Sequence, residues 1–449
     1  MSNHIITRFA PSPTGNLHIG SVRTALFNYL FSKSNDGKYL LRIDDTDKTR
    51  STKAYEDNIV NGFKSLGLNW DNPKLIRQSE RTAVYKKYLQ KLLDENKAFI
   101  SKENDVKEGD RAEVIRLKNP NKKVTFSDLI RNEVEFDTTE LGDFVIAKSL
   151  EEPIYHFASV VDDFEMGITH VIRAEEHLSN TPRQILIQEA IGANRPIYAH
   201  IPMILAPDRS KLSKRHGATA LTDYFEKGYL QEAIINYLAF LGWNPGGERE
   251  LYSLEELIKT FDMTKVQKAA AIFNIEKLDW FNREYITKLS DKDFIEHSKS
   301  FIPEWLSADS PQFKKLLPLL KEKITVFSEI KTIFENVNEL GFVQKLNNFA
   351  PDLLLWKKNP SREVAHKHIL FVKEAIENIQ DSDDTFTAET IKNALWKYAE
   401  ENGKGDVLWP LRVALTGQEK SPDPFTSATI LGKQESLKRI DLALAKLNC

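Results

Sequence analysis

Arg8-Phe-Ala-Pro-Ser-Pro-Thr-Gly-Asn-Leu-His-Ile-Gly-Ser21 is the stretch on which the reading of this chain turns. Ahead of it, Ile5 and Ile6 open a short apolar run that reads as a buried strand. Behind it, Val22, Ala25, Leu26, Tyr29 and Leu30 recur at helical spacing towards Ser34. Pro11, Pro13 and Gly15 lie between, so the chain must loop there. In open α/β sheets, the turn from a strand into a helix N-terminus is where phosphate-bearing ligands bind. Free backbone N–H groups and the positive end of the helix dipole point at that place. Gly15 and Gly20 let a ligand approach the backbone without a Cβ in the way, and His18 can donate to a phosphate oxygen without a permanent charge. Taken alone, a His-x-Gly after a strand is more often an ordinary loop.

A second stretch changes that balance. Lys211-Leu-Ser-Lys-Arg215 follows the apolar run 201–205, read as another strand, and the turn Ala206-Pro-Asp-Arg209. A basic, serine-bearing loop is usually a solvated face. Here it follows a strand, as the first motif does, and two loops at one sheet edge can close over the same nucleotide.

The pair resembles the two signatures of class I aminoacyl-tRNA synthetases, and further segments narrow the likeness to bacterial glutamyl-tRNA synthetases. Those segments are Leu41-Arg-Ile-Asp-Asp-Thr-Asp47, Val160-Val-Asp-Asp163, Val171-Ile-Arg-Ala-Glu-Glu-His177 and Leu408-Trp-Pro-Leu-Arg-Val-Ala-Leu-Thr-Gly417. The resemblance implies an α/β fold: a Rossmann-like parallel sheet with an α+β insertion, then an all-helical anticodon-binding region. The expected divisions are 1–83 with 155–208 for the split nucleotide-binding domain, 84–154 for an acceptor-end insertion, 209–300 for a stem-contact domain and 301–449 for the helical region. It implies ATP-dependent activation of L-glutamate and transfer to the 3′ end of tRNA-Glu, with tRNA-Gln as a second acceptor left open. A non-catalytic tRNA-binding paralogue is the alternative from another class, although His18, Lys211 and Lys214 are all present. Glutaminyl-tRNA synthetases usually carry Pro-Pro-Glu-Pro-Asn-Gly where Ala10-Pro-Ser-Pro-Thr-Gly15 stands, which disfavours them.

Carried over residue by residue, the resemblance gives His18, Lys211 and Lys214 as catalytic. Arg8, Ala10, Ser12, Asp44, Tyr155, Ser159 and Arg173 are the expected glutamate site. Gly20, Glu176, Ile204 and Ser213 join His18 and the two lysines around ATP. Arg8 and Arg173 suit a substrate with two carboxylates, because a guanidinium fork matches a carboxylate with two parallel hydrogen bonds. The alternative for both is a structural ion pair with Asp44 or Glu175. Asp44 stands where the family usually has glutamate, one methylene longer, and Ser21 replaces the second histidine of the general class signature. Tyr155 reads without the family as a core aromatic. Mg2+ is expected with ATP. Zinc is not, since Cys449 is the single cysteine and the strand at 98–101 carries none.

Composition agrees. With 449 residues the prior is two to four domains, and 41% hydrophobic with 28% charged residues describes a globular chain. The net charge of −3 requires any nucleic-acid contact to use clustered cations. No apolar run is long enough for a bilayer and no leader opens the chain, so a cytoplasmic, membrane-free protein is expected; a monomer is the expected state. Further expectations are a strand over 38–43, Ser51 or Thr52 capping a helix to Leu66, and a helix opening at Ser79. The parallel sheet should resume at 154–159 and a helix should run over 223–241. Trp280 and Phe281 should pack in a core, and helices should follow one another from Phe301. Trp356-Lys-Lys-Asn-Pro360 with 362–368 reads as a basic, aromatic patch for unpaired bases.

Overall fold

The computed structural model describes residues 4–103, 113–212, 219–335 and 339–448. The chain divides into two compact units, Met1–Asn282 and Arg283–Cys449.

The first unit begins with β1 (Ile6–Phe9), α1 (Ile19–Ser34), β2 (Lys38–Ile43), α2 (Lys53–Ser65), β3 (Ile76–Arg77) and α3 (Thr82–Asp94). β1, β2 and β3 lie side by side and parallel, with Ile6 opposite Lys38 and Arg42 opposite Ile76. Thr52 caps α2 by accepting from the Tyr55 amide. The helix expected from Ser79 starts three residues later, after a 3-10 turn over Gln78–Glu80. An insertion follows: β4 (Ala98–Lys102), β5 (Glu113–Leu117), β6 (Lys123–Asp128), β7 (Asn132–Asp137), β8 (Phe144–Ser149) and β9 (Glu152–Pro153). β4, β5, β8 and β9 form an antiparallel sheet, while the β6–β7 hairpin leaves it.

The chain then returns through α4 (Tyr155–Glu165), β10 (His170–Ala174), α5 (Thr181–Ile191), β11 (Ile197–Ile201) and β12 (Ile204–Leu205). The stretch 154–159, expected as a returning strand, is the start of α4. Its β-favouring Tyr155 and Phe157 suggested extension, but Phe157, Val160 and Val161 are buried at helical spacing. The parallel sheet resumes at β10, which pairs with β11, and β6 joins on the far side of β11. The two halves meet where the Thr169 amide donates to Ile6 O (3.0 Å) and the Ile6 amide to Thr169 Oγ1 (2.8 Å). Buried Asn28 of α1 reinforces the seam. Its carbonyl accepts from Thr7 in β1 and its amide donates to Ile172 O in β10. Tyr85, Leu89 and Leu92 pack with Phe157, Val161 and Ile185 in the core beneath.

Three further readings are corrected. The run 201–205 is two strands, because Pro202 ends β11 and β12 pairs instead with β13 (Ala271–Ile272). The span 223–241 is two helices, α6 (Leu221–Glu226) and α7 (Gln231–Phe240), separated by Gly228 at φ 80°. α8 (Leu254–Thr260) and α9 (Ile275–Lys288) follow. Phe281 is buried as expected, whereas Trp280 is exposed with Lys277 Nζ 3.9 Å over its ring.

The second unit is helical, with no named strand among its described residues. It holds α10 (Asp291–Ser298), α11 (Pro311–Lys323), α12 (Glu329–Glu335), α13 (Arg362–Glu377), α14 (Ala388–Asn402), α15 (Lys404–Thr416), α16 (Pro424–Leu431) and α17 (Lys433–Leu447). Leu354, Ile369, Val372, Leu395, Leu411 and Ala443 share one core. In the basic patch, half-buried Trp356 packs against Trp409, while Lys357 and Lys358 are exposed. Gly417 ends α15 at φ 69°, and a Cβ there would lie 2.6 Å from Asn347 O. Gly417→Ala should lower the stability of this unit by about 1–3 kcal/mol, read as a lower unfolding midpoint.

Candidate active site

The carboxyl ends of β1 and β10, the loop after β1, the start of α4 and the turn before Lys211 surround a cleft of about 750 Å³. Arg8, Ala10, Ser12, His18, Gly20, Asp44, Tyr155, Ser159, Arg173, Glu176, Ile204 and Lys211 all line it. Ser213 and Lys214 lie outside the described residues.

One end is built around the start of α1. His18 is the N-cap, and its Nδ1 accepts from the Gly20 amide at 3.0 Å. An accepting Nδ1 is unprotonated, so in the neutral ring the proton sits on Nε2. Burial, then the charge of Lys211, push the His18 pKa down and favour that neutral form. A Cβ at Gly20 would stand 3.2 Å from His18 Nδ1 and crowd the ring. The chain beyond the Lys211 loop returns to this motif: the Ile19 amide donates to Thr219 O (3.0 Å) and the Leu221 amide to Leu17 O (2.9 Å). Lys211 Nζ meets Glu176 Oε2 at 2.8 Å, which holds the Glu176 carboxyl below its usual range. The two loops read from sequence therefore border one cavity.

The other end is a buried ionic cluster. Arg8 donates from Nε and Nη2 to both oxygens of Asp163, at 3.0 and 3.1 Å. Fully buried Arg42 donates to Asp163 Oδ1 (2.7 Å), to both oxygens of Asp44 (2.6 and 3.2 Å) and to Ser159 Oγ (3.2 Å). Arg81 and Gln78 hold Asp162 beneath it. Burial works against the Arg42 charge, but the surrounding carboxylates outweigh it and raise its pKa. Asp163, between two arginines, is held below its usual range despite burial. Asp44 is pushed up to about 6, because its burial outweighs the Arg42 contact.

Neither ion pair considered from sequence forms: Arg8 binds Asp163, and Asp44 binds Arg42. Glu175 takes an ion pair from Arg131 and accepts from the Met203 amide. Arg173 is buried and donates only to neutral groups: His200 Nε2 (3.1 Å), Gln184 Oε1 (2.6 Å) and Thr181 Oγ1 (2.8 Å). Burial pushes its pKa down. Tyr155 is 38% exposed at the cleft wall, one turn from Ser159, so it is not the core aromatic that its type suggested.

Sequence reasoning missed Arg42, Asp162 and Asp163 as site builders. The available signal was an arginine inside the apolar strand Lys-Tyr-Leu-Leu-Arg-Ile and adjacent carboxylates in a helix with Val160 and Val161 on its buried side. It also missed Arg23 of α1, buried along the cleft, which donates to Leu241 O (3.0 Å) and contacts Pro202 O.

The model described as tRNA synthetases class I (E and Q), catalytic domain, matches residues 4–108 and 100–280. The chain belongs to this family. An anticodon binding domain model matches residues 293–444. A glutamate–tRNA ligase of Caldicellulosiruptor saccharolyticus is 40% identical over 98% of each chain, and one of Natranaerobius thermophilus is 38% identical over the whole of both. A crystal structure of a glutamate tRNA ligase from Elizabethkingia meningosepticum, in complex with its amino acid, superposes with a TM-score of 0.87. It is 33% identical, covering 99% of this chain and 100% of that one. The family, the parallel-sheet fold and the helical region thus agree with the reading from sequence. Among the described residues no helix is long and apolar enough to cross a membrane.

The ionic cluster can be tested directly. Arg42→Met should leave Asp44, Asp162 and Asp163 short of a cation and cost roughly 3–5 kcal/mol, read as a lower denaturant midpoint.

Proposed function

We propose that this chain is a glutamate–tRNA ligase that activates L-glutamate with ATP and esterifies the 3′ end of tRNA-Glu. The observation that carries the reading is the cleft's polarity. A neutral histidine at a helix N-terminus and Lys211 face one end, and two buried arginines border the other. Arg173 in particular meets no carboxylate in its hydrogen bonds, so a substrate carboxylate would supply the charge its surroundings lack.

In this mechanism Arg8 and Arg173 hold the substrate carboxylates. Asp44, with Tyr155 and Ser159 nearby, receives the ammonium. Ala10 and Ser12 close the wall beside them. The α-carboxylate then attacks the α-phosphorus of ATP and pyrophosphate leaves. His18 donates from Nε2 to phosphate oxygens as charge shifts, and Lys211 adds a cation. By the family likeness Lys214 joins His18 in holding phosphate oxygens, and Ser213 fixes the loop. Gly20, Glu176 and Ile204 border the nucleotide. A terminal ribose hydroxyl of tRNA next attacks the mixed anhydride and AMP leaves. No enzyme nucleophile takes part, so catalysis rests on positioning and charge stabilisation.

Magnesium supplies charge neutralisation to the triphosphate when bound, and draws most of its ligands from phosphate oxygens and water. That fits a site whose described residues hold no group of three or more His, Cys, Asp or Glu able to bind a metal. Zinc has no place in the scheme. The helical unit, with exposed Lys357 and Lys358 beside Trp356, is the part we assign to the anticodon. The protein is taken to act in the cytoplasm as a monomer.

Glutamate-dependent ATP–pyrophosphate exchange and charging, each with purified tRNA-Glu and tRNA-Gln, test the reading. Charging of tRNA-Glu is expected, whereas tRNA binding without exchange or charging would identify the non-catalytic paralogue. Arg8→Ala should raise KM for glutamate about tenfold or more while leaving KM for ATP nearly unchanged. The ammonium binds ionised Asp44, and the free carboxyl is pushed up to about 6. Affinity is therefore full above that value and lost below it, so KM for glutamate should rise as pH falls through 6. In Asp44→Asn that rise should vanish.

A further inference from the structure

We infer that Asp128 and His200 form a positioning relay that aims Arg173 into the substrate cleft, so that a hairpin of the insertion sets the affinity for the amino acid. The inference rests on the glutamate reading of the cleft. Three neighbouring strands carry the three residues. Arg173 of β10 lies opposite His200 of β11, and β11 pairs with the end of β6 at Asp128. All three are buried, His200 completely.

The hydrogen bonds fix one direction for the protons. Arg173 Nε can only donate, so His200 Nε2, 3.1 Å away, must accept with a lone pair, towards which the Thr181 hydroxyl also lies at 3.2 Å. The ring proton then sits on Nδ1, which meets Asp128 Oδ2 at 2.6 Å. Asp128 is itself fixed. Its Oδ2 accepts the His200 amide at 3.0 Å, and its Oδ1 accepts the amides of Ile130 and Arg131 at 2.9 and 2.8 Å. With Gln184 and Thr181 taking Nη1 and Nη2, the guanidinium has one orientation. The carboxylate that begins this chain closes β6, the strand that the insertion adds to the sheet beside β11. Neither Asp128 nor His200 lines the cleft, so both act through Arg173.

Replacing Asp128 by Asn tests the proton direction. The amide oxygen stays with the two turn N–H groups, so the new NH2 takes the place of Oδ2, facing His200 Nδ1 and giving up the bond from the His200 amide. It can only donate there, which moves the ring proton to Nε2 and sets it against the Arg173 N–H. His200→Phe removes the acceptor but keeps a ring, and His200→Gln returns an acceptor near the place of Nε2.

Glutamate-dependent ATP–pyrophosphate exchange, with tRNA present, should show KM for glutamate raised about tenfold or more in Asp128→Asn and His200→Phe, with KM for ATP within about twofold of wild type. His200→Gln should recover most of the loss. An unchanged glutamate KM in both variants overturns the relay, as does an equal rise for glutamate and ATP. Failure of His200→Gln to recover does the same. Nitrogen-15 spectra of histidine-labelled protein read the tautomer without any substrate. Protonation of wild-type His200 on Nε2 overturns the relay by itself. Absence of glutamate-dependent exchange in the wild type, with His200 protonated on Nδ1, would overturn the substrate reading while leaving the orientation of Arg173 standing.

Discussion

Asp163 accepts from two arginines at once, and the cleft is organised about that junction. Arg8 comes from β1, Arg42 from β2 and Asp163 from α4, elements brought together only when the split sheet closes. Burying this many charges is costly unless each finds an opposite charge and a hydrogen bond. Arg8, Arg42 and Arg81 face Asp44, Asp162 and Asp163, and every member has a partner. A cluster whose charges are paired only as a whole has little freedom to rearrange. It therefore serves as a rigid wall for a pocket that must recognise charge.

The wall has two characters. On the Arg8 side the charges are already neutralised within the protein, so Arg8 presents a guanidinium whose Nε and Nη2 are committed to Asp163. On the Arg173 side the bonds go to a glutamine, a threonine and a histidine, which orient without neutralising. Low dielectric makes the second arrangement the stronger attractor for an incoming carboxylate. Asp44 is intermediate: paired with Arg42, yet with burial keeping its proton affinity high.

At the opposite end, charge is used sparingly. His18 is kept neutral and aimed by one backbone amide, and Lys211 is held by Glu176. At Thr219 and Leu221 the chain returns to the Leu17–Ile19 backbone by main-chain hydrogen bonds. The geometry of the His18 end of the cleft thus depends on backbone, and that of the Arg8 and Arg42 end on side-chain charge.

Local sequence was enough for much of this. Pro11, Pro13 and Gly15 between an apolar run and a helical period define strand, loop and helix wherever they occur, because those preferences act within a few residues. Hence β1, α1 and the helical second unit were legible, and so were many of the residues lining the cleft. Tertiary structure decided what local preference could not. Residues 154–159 carry strand-favouring aromatics but fold as α4, since helical burial of Phe157, Val160 and Val161 outweighs propensity. Arg8 and Arg42 reach Asp163 across 155 and 121 positions, and Arg173 reaches His200 across 27, and spacing carries no information over that range. The sequence by itself named many of the charged and polar side chains that border the cavity. Only the folded chain determined which of those charges neutralise one another and which is left facing a ligand.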